Sequence, residues 1–195
     1  MEVKIKAIGT KPLLLHNVDL ANPFGEWYQR LRDLSGTPSK RRTDKWEDEK
    51  AYCQFMGAFY DIPEVNGIAI PTENLRRSVL IAARTTREGP KVEKGLAVTE
   101  PAVRIIYDGP RTPQELWDAG PEWRLTRMIR SRSGASPTTY PIFREWAVIA
   151  PYELDPDQLN ANDLRGFAER AGKIEGLGAS RKQGYGRYDG LVETA

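Results

Sequence analysis

The chain has 195 residues, 39% hydrophobic and 29% charged, with Lys+Arg 29 against Asp+Glu 27 for a formal net charge of +2. That suffices for the core of one ordinary domain and is cramped for two; the near-neutral balance excludes a uniformly basic protein but leaves room for a basic stripe on one face. One cysteine (Cys53) and one histidine (His16) exclude an internal disulfide, a zinc knuckle and most transition-metal sites. Cysteine poverty points to a reducing compartment, the cytoplasm. No run approaches the ~18 apolar residues of a membrane helix, and residues 1–6 alternate and are charged, unlike a secretory leader. The expectation is a cytoplasmic protein with no membrane partner.

In chain order, residues 2–8 alternate Val3, Ile5 and Ala7 against Glu2, Lys4 and Lys6, the period of a half-buried strand. Pro12 interrupts it, and Leu13 to His16 continue as an edge segment. Asn22-Pro23 opens a helix with Trp27, Leu31 and Leu34 at helical spacing, ending at Gly36. A polar loop with Lys40, Arg41 and Arg42 leads to a second helix over about 44–59, with Trp46, Cys53 and Met56 facing inward. A short strand at 67–72 feeds a helix capped by Thr72, which packs Leu75, Val79, Ala82 and Ala83 and carries Arg76, Arg77 and Arg84 outside.

Strand-like runs recur at 102–107, 123–131 and 143–154. Between the last two, the turn formers of 131–141 read as the tip of a long hairpin arm. A helix over about 160–173 buries Leu164, Phe167, Ala168 and Ala171, and a strand near 187–193 closes the chain. The class is α+β: one domain over 1–195, with a ferredoxin-like core around an antiparallel sheet, a helical insertion at about 20–60 and an arm at about 123–154.

The most distinctive segment is GLGASRKQGYGRY, residues 176–188. Glycines 176, 178, 184 and 186 allow positive φ and close approach of backbone to a ligand. Ser180, Arg181, Lys182 and Arg187 supply polar and cationic groups suited to phosphate oxygens, and Tyr185 or Tyr188 a stacking face for a base. The same residues also fit a helix C-cap followed by a tight turn into a strand. Dinucleotide and phosphate-loop fingerprints are broken here, since Arg181 stands where a third glycine belongs and Ile174 where a Ser or Thr would hold magnesium. No cofactor is expected. Asp155 and Asp157 do not continue into a calcium loop, and Cys53 reads as inert core.

The run Gly-x-Gly, Arg-Lys, Gly-Tyr-Gly-Arg before a final strand resembles the C-terminal glycine-rich loop of the RAMP superfamily, the repeat-associated proteins of CRISPR systems. The run from Ile70 to Arg77 resembles the Ile-Pro-Gly-x-x-Leu-Arg-Gly segment of CRISPR effector backbone subunits, with Thr72 at the family's glycine and Arg77 at its small residue. The layout is similar to that of phage-encoded proteins of this kind. The resemblance implies an RRM-like ferredoxin fold that grips single-stranded nucleic acid, RNA before DNA, with copies assembling side by side and a finger or thumb hairpin reaching over the neighbour.

The arm carries its own signal. Arg124, Arg127, Arg130, Arg132 and Arg144 cluster around it, with Met128 and Tyr140 interleaved. An extended strand would project Arg124, Met128, Arg130 and Arg132 to one face, where guanidinium groups meet phosphates. A solvated strand whose arginines pair with Glu122, Glu145 or Asp118 fits the same residues. Arg41-Arg42 and Arg76-Arg77 are further basic spots, and Trp46 beside the first is the tryptophan with most chance of lying outside the core.

Two rival readings remain open. In the family's metal-independent endoribonucleases a histidine acts as general acid or base, which would give His16 that role; a lone histidine at a strand end equally serves packing. An assembly or inhibitory protein docking onto another nucleoprotein complex is the third.

Overall fold

The computed structural model describes residues 1–131 and 134–194. Its strands are β1 (Glu2–Gly9), β2 (Leu13–Leu14), β3 (Ala69–Pro71), β4 (Leu96–Val98), β5 (Ala102–Ile106), β6 (Arg124–Ser131), β7 (Gly134–Phe143), β8 (Ala147–Leu154) and β9 (Tyr188–Thr194). Its α-helices are α1 (Glu26–Ser35), α2 (Asp44–Met56), α3 (Thr72–Arg84), α4 (Gly89–Gly95), α5 (Pro113–Ala119) and α6 (Ala161–Arg170). The class is α+β, with mostly antiparallel pairing. The chain divides into two compact units, one of residues 1–14, 61–108 and 143–195, the other of residues 15–60 and 109–142. No helix among the described residues is long and apolar enough to cross a membrane.

The first unit is built on a sheet of order β3-β5-β8-β1-β9, with β4 beside β8. Alternation in β1 decides its faces: Val3, Ile5 and Ala7 are buried, while Glu2, Lys4 and Ile8 are exposed. Ile5 lies across from Ala150 on one side and the half-buried Val192 on the other, so the inward-facing row runs across three strands. Helices α3 and α6 bring Leu75, Val79, Ala82, Leu164, Phe167 and Ala168 into this core. Tyr152 and Tyr188 are fully buried with both hydroxyls satisfied. The first donates to the Thr72 carbonyl at 2.8 Å and the second to Ser78 Oγ at 3.1 Å. Burial pushes both phenol pKa values well above the ordinary tyrosine range.

Two readings of the sequence are corrected here. Thr72 does not cap α3: Pro71 holds the cap position, and the Thr72 hydroxyl is buried without a hydrogen-bond partner among the described residues. Nor do residues 143–154 form the arm's returning strand. β8 lies inside the first unit's sheet against β1, where its alternating buried residues complete the core. The hairpin's second strand is β7, so the residues taken for a long tip are mostly paired, from Ser131–Gly134 to Arg124–Pro141. The Pro141 carbonyl accepts from the Leu15 amide at 3.1 Å, and beside Pro137 the outer edge of β7 is served by a side chain. Gln54 on α2 accepts from the Thr139 amide at 3.0 Å and donates to the Pro137 carbonyl at 3.4 Å, standing in for a neighbouring strand.

The second unit packs aromatic rings between α1, α2 and α5. Trp27, Tyr52, Trp117, Phe55 and Phe59 follow edge to face, at centroid distances of 6.0, 5.2, 5.2 and 5.2 Å. Arg30 and Arg124 cover the outer faces of Trp27 and Trp117 at 5.0 and 4.1 Å. Cys53 is buried among these elements, and desolvation raises its thiol pKa.

Replacing Gln54 by Leu keeps the bulk but strands the Thr139 amide, whose residue is 2% exposed. Urea unfolding of Gln54→Leu should show a loss of about 1–3 kcal/mol; a midpoint equal to wild type would mean that β7 does not need this bond.

Candidate functional site

The glycine-rich segment begins where α6 ends. A wider helical turn over Ala171–Glu175 closes at Gly176, and the chain then folds back on itself before entering β9. The Leu177 amide donates to the Gly186 carbonyl at 2.9 Å, Ala179 to Leu14 at 2.8 Å and Gly186 to Pro12 at 2.7 Å. Ser78 Oγ donates to the Gly176 carbonyl at 3.0 Å. Glycine is required at 178 and 186 because the chain itself comes so near. Both have positive φ (70° and 67°), and a Cβ would run into the Leu14 carbonyl at one and the Leu177 carbonyl at the other. The object these two glycines approach is therefore their own chain. Gly184 differs: its φ is 89°, and a Cβ there would meet open space.

Between the pinned ends lies Ser180, a non-glycine residue in left-handed conformation (φ 55°, ψ 30°), followed by the right-handed single turn Arg181–Gln183. A left-handed residue followed by a right-handed one turns successive N–H groups toward a common point, a concavity that binds anions. The amides of Ser180, Arg181 and Lys182 find no acceptor among the described residues. The Lys182 side chain is exposed and that of Arg181 half-buried, and neither is ion-paired among the described residues. Left-handed strain at Ser180 costs on the order of 1 kcal/mol and is held by the surrounding bonds.

Other expected residues take different roles. Arg187 ties the segment together, donating to the Ile174 carbonyl and, at 3.1 Å, to the Arg181 carbonyl. Tyr188 is 1% exposed and offers no stacking face; Tyr185 is half-buried. Arg76 is a clamp, donating to the Leu96 and Glu93 carbonyls at 2.6 and 3.1 Å and to Glu73 at 3.1 Å. Arg77, next along α3, is exposed and without an ion pair among the described residues. Lys11 was not foreseen. Its amide donates to the Arg187 carbonyl at 3.2 Å, which sets an exposed ammonium-bearing residue beside the segment.

In the second unit, Arg130 and Met128 are exposed on one face of the hairpin. Arg127, one register step away, lies on the other face with Tyr140, whose ring meets His16 edge-on at 6.0 Å. Desolvation holds the His16 imidazole below its ordinary pKa although the residue is exposed. Arg132 lies outside the described residues. Arg42 sits over the Trp46 ring at 4.5 Å, and Trp46 is buried, with Nε1 donating to the Leu34 carbonyl at 3.0 Å; this tryptophan belongs to the core. Arg41 stays exposed at the end of a single turn over Ser39–Arg41.

No protein-family model matches the chain, and no curated protein matches it.

The two kinds of glycine separate in a stability experiment. Gly186→Ala adds overpacking to left-handed strain and should cost roughly 2–5 kcal/mol, whereas Gly184→Ala should cost roughly 1 kcal/mol. Equal losses in thermal unfolding would contradict the pinned geometry.

Proposed function

We propose that the protein is a non-catalytic single-stranded nucleic-acid-binding module that grips the phosphate backbone through Ser180, Arg181 and Lys182, with RNA favoured over DNA and copies assembling side by side along the strand. The observation that carries the reading is the trio of convergent amides without acceptors, flanked by two cations. Three N–H donors and adjacent guanidinium and ammonium groups match the oxygens of a phosphodiester, and nothing in that set reads a base. Lys11 and Arg77 extend the positive field, and Gly184, open on its Cβ side, leaves room for the strand. The preference for RNA comes from the resemblance to the RAMP superfamily.

Unit topology supports the same reading. The succession β1, α3, β5, β8, α6, β9, with sheet order β5-β8-β1-β9, is compatible with the strand–helix–strand–strand–helix–strand pattern expected of a ferredoxin-like core, and that compatibility supports the reading. The segment joining α6 to β9 is where the resemblance puts the backbone-gripping loop. Thr72, buried at the start of α3, stands at the family's glycine, and its backbone is already engaged, the amide donating to the Pro101 carbonyl at 3.0 Å and the carbonyl accepting from the Tyr152 hydroxyl at 2.8 Å. The grip is therefore assigned to the 180–182 turn rather than to the start of α3.

Phosphate contacts release counterions, so affinity for a single-stranded oligomer should fall steeply with salt. The double variant Arg181→Ala/Lys182→Ala should bind at least about tenfold more weakly at low salt, with a logarithmic salt slope shallower by roughly 1 or more. Unchanged affinity and slope in an anisotropy titration would remove this turn from the interface.

A further inference from the structure

The open face of the first unit's sheet carries a cleft of about 400 Å³ that the backbone grip does not use. Its floor is Ile106 and Ile149, 43% and 37% exposed. Around the rim stand Glu64, Asn66, Glu100 and Arg104. None of these four polar side chains has a hydrogen-bond or ion-pair partner among the described residues. That is unlike Arg76, Arg84, Lys91 and Lys173 of the same unit, each paired with a carboxylate. Arg104 shares a cleft with two carboxylates and lies within ion-pair distance of neither, while its aliphatic stem lies over Gly67, where a Cβ would come within 3.1 Å of Cδ. A fork-shaped donor, two carboxylate acceptors and an amide are thus presented around an aliphatic floor with their capacity unfilled.

We infer that this cleft takes one unstacked guanine base of the bound strand, an inference that rests on the proposed nucleic-acid function. The volume falls in the range of small-ligand clefts, and the aliphatic floor suits a flat ring. Guanine is the base that offers a carboxylate two adjacent donors, N1–H and the N2 amine, while O6 and N7 accept from the guanidinium fork. The negative rim repels phosphates, so the backbone stays outside and the base enters. Position agrees. The gripping segment enters β9 at Tyr188, across from Gly9, and Ile8 of the next row aligns with Ala147, which in turn aligns with Ile106. From β9 to β5 there are three strand spacings, roughly 15 Å, a distance a few nucleotides span. Phosphate grip and base cleft then work on one strand at a fixed offset.

The test uses oligouridine carrying a single central guanosine, compared with plain oligouridine and with single adenosine or cytidine insertions, titrated by fluorescence anisotropy. Wild type should favour the guanosine oligomer by roughly tenfold. Arg104→Ala, Arg104→Lys and Glu64→Gln/Glu100→Gln should bring that ratio to about one while leaving oligouridine affinity within about twofold; all three residues are exposed, so the fold should tolerate the changes. Arg181→Ala/Lys182→Ala should weaken every oligomer and keep the ratio. Equal wild-type affinity for all insertions, a preference for another base, or a guanosine preference that survives both the Arg104 and the paired glutamate changes would overturn the inference while leaving the backbone grip standing. Failure of wild type to bind any oligomer would overturn both.

Discussion

The site depends on one chain of hydrogen bonds. Tyr188, at the start of β9, donates to Ser78 on α3, and Ser78 donates to the carbonyl of Gly176. All three residues are buried, so losing any one bond would strand a polar group in the core at a cost of about 1–3 kcal/mol. Sheet, helix and loop are therefore set against one another at a single point. The close approaches of Gly178 and Gly186 to their own chain, and the Arg187 guanidinium across the segment, fix the rest.

A loop held this firmly can keep its amides without an acceptor among the described residues. Ser180 remains left-handed because both flanks are tied, and the N–H groups that follow have nowhere else to go. The cations divide by the same logic. Arg76 and Arg187 reach backbone carbonyls and stabilise the frame, while Arg77, Arg181 and Lys182 remain without ion pairs among the described residues. Counting basic residues along the chain does not separate these groups, since a guanidinium that donates to carbonyls has the same sequence signature as one left without an ion pair.

Much of the first unit was legible in the sequence because its patterns are local. Alternation marks β1, and the stripes Leu75–Ala83 and Leu164–Ala171 mark the two helices over the sheet. The second unit was less legible. The Gly-Ala-Ser-Pro-Thr-Thr run has turn composition, yet it forms β7, paired along its length with β6 and met on its other edge by Gln54 from a distant helix. Helix α5 carried readable signals, a Thr112–Glu115 capping box and Pro113 in the first turn, but at seven residues it showed no apolar period. In the candidate site, glycines read as room for a ligand have another role: glycines 178 and 186 serve self-packing, and the left-handed residue between the two tied ends is a serine. The Glu64–Arg104 cleft was not visible in the sequence at all, because its residues come together only through sheet pairing.

The most direct measurement is the backbone amide spectrum of the isotopically labelled protein during addition of a short single-stranded oligomer. The account predicts that the resonances of Ser180, Arg181 and Lys182 shift downfield together and saturate, as amides acquiring a charged acceptor do. Saturable binding that leaves these three signals unmoved while resonances elsewhere respond would contradict it.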